Sequence, residues 1–87
     1  MTALESRKVY RKAELAQTVA LMRSEDYKER YEAEYRQLNV RMEAIEDTLK
    51  HNEESLTPLQ LDLLRDQYIA MSKYRNILEL RAKLGAI

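Results

Sequence analysis

The sequence predicts an all-α fold: a short N-terminal helix, then a long antiparallel helical hairpin, assembling into an oligomeric helical bundle. Three observations carry this. The chain has one Gly and one Pro in 87 residues, so little interrupts helix formation. Apolar residues recur at alternating four- and three-residue spacings over two long stretches, the period of a helix face. The stretch Leu59 to Leu84 carries two neighbouring apolar stripes, Leu61, Leu64, Tyr68, Met71, Leu78 and Ala82 on one and Leu63, Ala70, Tyr74, Ile77 and Leu84 on the other. A single partner helix leaves one of these uncovered, so association between copies is expected, a dimer or a multiple of dimers.

Taken in order, Thr2 and Glu5 form a Thr-x-x-Glu capping pair that opens a helix over about residues 3–23. Leu4, Leu15, Val19 and Met22, flanked by Val9, Ala13, Ala16 and Ala20, give it one broad, shallow apolar face. Ser24, followed by Glu25 and Asp26, reads as a fresh N-cap, which predicts a break near residues 23–25 and a second helix over about 25–50. In that helix Tyr31, Tyr35, Leu38, Met42, Ile45 and Leu49 form a heptad seam, and Glu32 precedes Arg36 in the favourable i,i+4 order. The pattern lapses into a loop over 51–57. Thr57, Pro58 and Gln60 then mark the start of a helix over about 58–84, with Leu56 and Leu61 at the positions of a hydrophobic staple. Gly85 is the expected left-handed stop. The whole of 1–87 reads as one helical domain.

Composition excludes several classes of function. With no Cys there is no disulfide framework and no thiolate metal site, which fits a reducing cytoplasm. A charged fraction of 34% and apolar runs of only a few residues predict a protein that neither enters a membrane nor carries a leader. Net charge is zero, a poor match to duplex nucleic acid. Charge is nonetheless unevenly spread: residues 1–23 hold five basic against two acidic side chains, 24–57 five against ten, and 58–87 five against three. The basic run Arg7 to Lys12 therefore has two uses, complementing the acidic second helix or collecting phosphate oxygens.

No catalytic constellation emerges. His51 is the single histidine and lies in the expected loop, the carboxylates are scattered, and Ser6, Ser24, Ser55 and Ser72 have no base in range. No metal, cofactor or enzymatic activity is expected. What stands out is six Tyr with neither Phe nor Trp, so that every aromatic carries a hydroxyl. Tyr and Arg together stack on nucleobases and hold phosphates bidentately. On this ground Tyr10, Arg11, Tyr74 and Arg75 are the candidate ligand-binding residues. Arg75 falls on an apolar seam, where a guanidinium needs an anionic ligand, a carboxylate of another subunit, or an outward route to water.

The run DYKERYEAEYRQL from Asp26 to Leu38 and the pattern LL-x2-Q-x2-AM-x2-Y-x3-L-x2-R from Leu63 to Arg81 resemble a family of small helical-hairpin proteins of crAss-like phages and related prophages. The first helix lies outside the resemblance. It implies a phage-encoded helical hairpin acting in the host cytoplasm, with no activity attached. Three roles follow as expectations: sequestration of a small nucleotide immune signal by an oligomer, masking of a host protein through an amphipathic helix face, or a structural part of an assembly.

Overall fold

The structure, a computed structural model, describes residues 2–85. Among these, three α-helices account for nearly the whole chain: α1 (Ala3–Met22), α2 (Tyr27–His51) and α3 (Pro58–Lys83), with one 3-10 turn at Glu53–Ser55 between the last two. Each start has a local cause. Thr2 and Thr57 both complete capping boxes, with Glu5 and Gln60 respectively, and Pro58 occupies the first turn, where its missing N–H costs nothing. The break between α1 and α2 is present, but Ser24 does not cap. Asp26 does, accepting from the Lys28 N–H, while the Ser24 hydroxyl accepts from the Asp26 N–H. The carboxylate wins because it places a full negative charge on the helix N-terminus. The connection after α2 is also tighter than the expected loop, since α2 runs through His51 and the 3-10 turn follows at once. Gly85 has φ 71°, the left-handed stop.

The helices form a single layer with α2 in the middle. Successive residues of a helix are 100° apart, and two opposite sides of α2 are used. On one side Leu38 and Met42 pack with Leu78 of α3, and Tyr31, Tyr35, Tyr68 and Met71 close around them. These are residues of the heptad seam. Arg75, on the same face of α3, turns its guanidinium outward to the Asn39 side-chain oxygen at 3.2 Å. The opposite side of α2 presents Ala33, Val40 and Asp47, all buried and seven residues apart, to α1. The short side chains of Ala33 and Val40 let α1 approach closely. The layer shape shows in the principal extents, 42 × 29 × 18 Å.

The α1–α2 contact corrects the expected apolar face of α1. Val19 and Met22 are about half exposed, whereas Arg11 and Thr18 are buried. Arg11 donates to Asp47, which also accepts from Arg7 Nε at 3.1 and 3.2 Å, and Gln37 donates to the Thr18 hydroxyl at 2.9 Å. Arg36 reaches Glu14 at 2.6 Å and Glu32 at 3.6 Å. A seam built this way needs its charges paired, because a buried charge left alone is far costlier than the pair is favourable. No buried side-chain polar atom lacks a partner among the described residues.

A single layer leaves much surface uncovered. The accessible area is 6391 Å², whereas a folded monomer of 10.3 kDa is expected to expose about 5,350 Å². The excess includes Leu59, Leu63, Ile77 and Leu80 on α3 and Leu84 at its C-cap, each more than half exposed.

Three outcomes test this packing. Thr57→Ala removes the cap of α3 and is expected to cost about 1 kcal/mol, read as a lower denaturant midpoint with an unchanged slope. Asp47→Ala strands Arg11 and is expected to cost about 3 kcal/mol, the low end for a broken buried pair. Arg11, with Arg7 assisting, holds the Asp47 carboxyl below its ordinary value against the opposing effect of burial. Its stabilising contribution is therefore complete above the unfolded carboxyl's value of about 3.9 and is lost as pH falls through the lower folded value. Acid titration of stability should accordingly be shallower in Asp47→Asn than in the parent.

Candidate functional site

Since α1 and α3 flank α2 on opposite sides, α2 has two remaining stripes, one on each face of the layer. One carries Arg30, Glu34, Gln37 and Arg41, at i, i+4, i+7 and i+11. The other carries Glu32, Asn39, Glu43, Glu46 and Lys50. The two faces therefore differ in charge, and the first is the more basic.

On that first face a groove of about 450 Å³ runs between Arg30, Glu34, Gln37, Leu38 and Arg41 of α2 and Gln67, Met71 and Tyr74 of α3, with Met22 at its α1 end. A second hollow of about 500 Å³ adjoins it, lined by Met22, Tyr27, Arg30, Tyr31, Glu34 and Arg81. Met22, Arg30 and Glu34 belong to both, so the two form one continuous depression. It combines three arginines with one carboxylate and three tyrosines. Arg30 donates to the Ser24 carbonyl at 2.7 Å, which holds its guanidinium near the α1–α2 break. The Tyr74 hydroxyl donates to Glu34, bridging the groove from α3 to α2. Tyr31 stacks on Tyr35 with centroids 6.3 Å apart and planes 4° from parallel, and the Arg81 guanidinium lies 5.8 Å from the Tyr31 ring centre. The Tyr31 hydroxyl donates to the Leu78 carbonyl, which fixes the ring.

The opposite face is more acidic, and two of its carboxylates are engaged by tyrosines. Tyr35 donates to Glu79 at 2.7 Å and Tyr68 donates to Glu46. In each case the carboxylate acceptor raises the phenol's pKa, with burial adding to the effect. A larger hollow, about 590 Å³, lies near the start of α1 between Arg7, Arg11, Lys50 and His51 and Glu43, Glu46 and Asp47. Size does not make it the better site. Its acidic and basic side chains balance, and both arginines are held by Asp47, so an incoming anion would have to displace a carboxylate.

The four residues singled out from the sequence are not brought together. Tyr74 lines the basic groove. Arg75, its neighbour, leaves α3 about 100° away and meets Asn39, with Glu79 at 4.0 Å. Arg11 is 8% exposed and bound to Asp47, while Tyr10 is 60% exposed. Within one chain, then, adjacent Tyr and Arg leave their helix about 100° apart, and the expected use of both pairs in one site depends on assembly between copies. Sequence reasoning missed Arg30, Arg41 and Arg81, although the spacing of Arg30, Glu34, Gln37 and Arg41 was there to be read as a polar stripe between two packed sides.

Among the described residues no group of His, Cys, Asp and Glu is placed to hold a metal, and no helix is long and apolar enough to cross a membrane. Neither the curated proteins nor the solved structures include a match to this chain. One family model does match, over residues 25–84. That span contains α2, α3 and almost the whole basic depression, and it leaves α1 outside, as the phage resemblance also did. The chain belongs to the Sequestin family.

Proposed function

We propose that this protein binds a small anionic nucleotide in the depression on the basic face and withholds it unaltered, acting as a phage-encoded oligomer against a host immune signal in the host cytoplasm. The family's name speaks for sequestration. The observation that carries the ligand class is the depression itself: Arg30, Arg41 and Arg81 beside Tyr27, Tyr31 and Tyr74, with Glu34 as the one carboxylate. Guanidinium groups bind phosphate in bidentate fashion, and tyrosine rings offer faces for a base. A depression of several hundred Å³ is within the range of small-molecule sites. Glu34 has a second role in this reading. By holding the Tyr74 hydroxyl it occupies the donor that a ligand's oxygen would take, so binding exchanges one acceptor for another. The one carboxylate, Glu34, is engaged by the Tyr74 hydroxyl, and the Tyr, Arg, Gln and Met side chains around it offer no nucleophile for it to activate. Stoichiometric retention is the chemistry that these side chains support.

Thermal scans with a panel of cyclic and linear nucleotides test the proposal. A nucleotide at a hundred times its dissociation constant should stabilise the fold by about 2.7 kcal/mol, and mass spectrometry should recover it unchanged. Arg41→Ala and Arg30→Ala should each remove most of that gain, while Arg75→Ala, at a side chain that meets Asn39 on the other face of the layer, should leave it. If no nucleotide shifts the melting temperature, retention of a host protein takes the place of this reading. If Arg75→Ala removes the gain and Arg41→Ala does not, the ligand lies on the acidic face.

A further inference from the structure

The outer edge of α3 carries a second heptad that α2 does not use: Leu59, Leu63, Asp66, Ala70, Lys73, Ile77, Leu80 and Leu84, spaced four, three, four, three, four, three, four, and all exposed. We propose that this edge pairs with the same edge of a second copy, antiparallel, about a two-fold axis near residues 71 and 72. Three observations select that occupant. First, the chain's 6391 Å² of accessible surface exceeds that of a compact monomer of its mass by about 1,000 Å², and a stable interface takes about 600–1,000 Å² from each partner. Second, the stripe is self-complementary. An antiparallel register sets Leu59 opposite Leu84 and Leu63 opposite Leu80 of the second copy, and by symmetry again at the other end, so that leucines meet at both ends.

Third, the two charged positions choose the direction. Parallel pairing would place Asp66 against Asp66 and Lys73 against Lys73. In the antiparallel register Lys73 lies opposite Ala70, whose small side chain admits the lysine stem, and its ammonium is one turn from Asp66 of the second copy. Two opposite-charge pairs then flank the axis. Neither residue has an ion-pair partner among the described residues of one chain.

The arrangement bears on the basic depression and goes beyond its assignment. A two-fold axis relating antiparallel neighbours stands perpendicular to the layer, so both basic faces look the same way. Gln67 and Tyr74, on the side of α3 that borders the groove, then approach their counterparts near the axis, and the second copy forms an outer wall for each groove.

The chain's freedom from cysteine makes a direct test available, carried out without nucleotide so that it stands or falls apart from ligand binding. Light scattering should give about 20 kDa, twice the 10.3 kDa chain. Under oxidising conditions the double variant Leu63→Cys, Leu80→Cys should cross-link into covalent dimers, whereas Leu63→Cys alone should not. Within one helix these positions are about 25 Å apart, too far for an internal disulfide. Asp66→Lys should weaken the dimer at least tenfold, and adding Lys73→Asp should restore it, with helicity unchanged throughout because both sites are exposed. A monomer at every concentration overturns the proposal, as does cross-linking by Leu63→Cys alone, which would mean parallel pairing.

Discussion

Helix α2 has to be covered on two opposite sides by unlike surfaces, and the arrangement of the molecule follows from that constraint. Its α3 side is aromatic and aliphatic and holds by apolar burial around Leu38, Met42 and Leu78. Its α1 side is narrow, with Ala33 and Val40 admitting the neighbouring backbone and Asp47 gathering Arg7 and Arg11. Because the two coverings sit roughly opposite each other, α1 and α3 leave both broad faces of α2 open. A bundle with a closed centre would have buried the stripe of Arg30, Glu34, Gln37 and Arg41. The layer leaves it as the floor of a groove.

This separation also explains how a chain with no net charge presents a basic face. The acids and bases are sorted by face as well as by segment, so the overall balance conceals a basic surface and an acidic one. The surplus of carboxylates on the second face is not idle. Glu46 and Glu79 accept from Tyr68 and Tyr35, tying α3 to α2 at the edge of the apolar core.

The α2–α3 contact was legible because large apolar side chains at alternating four- and three-residue spacing stand out against a charged background, and the start of α3 because Thr57, Pro58 and Gln60 have few other uses in that order. The α1–α2 contact was not. It is made from Arg11, Thr18, Ala33, Val40 and Asp47, residue types common on any helix surface, and periodicity of hydrophobicity does not register them. That is also why Arg11 read as a ligand contact: its partner lies 36 positions away. The groove was hidden for a different reason. Its walls come from two helices, and only their lateral placement reveals that Tyr74 faces Arg41 while Arg75 faces the other way.

The two outer helices are held by groups that lose their grip at opposite ends of the pH scale. The α1 side depends on a carboxylate whose pKa is lowered, so acid releases it. On the α3 side, Tyr35 and Tyr68 donate to carboxylates and their phenols are raised. Their contribution is whole below the ordinary phenol value of about 10 and fades as pH climbs through the raised one, when each phenolate comes to face a like charge. Ionisation of these phenols therefore weakens the α2–α3 side, and protonation of Asp47 weakens the α1–α2 side.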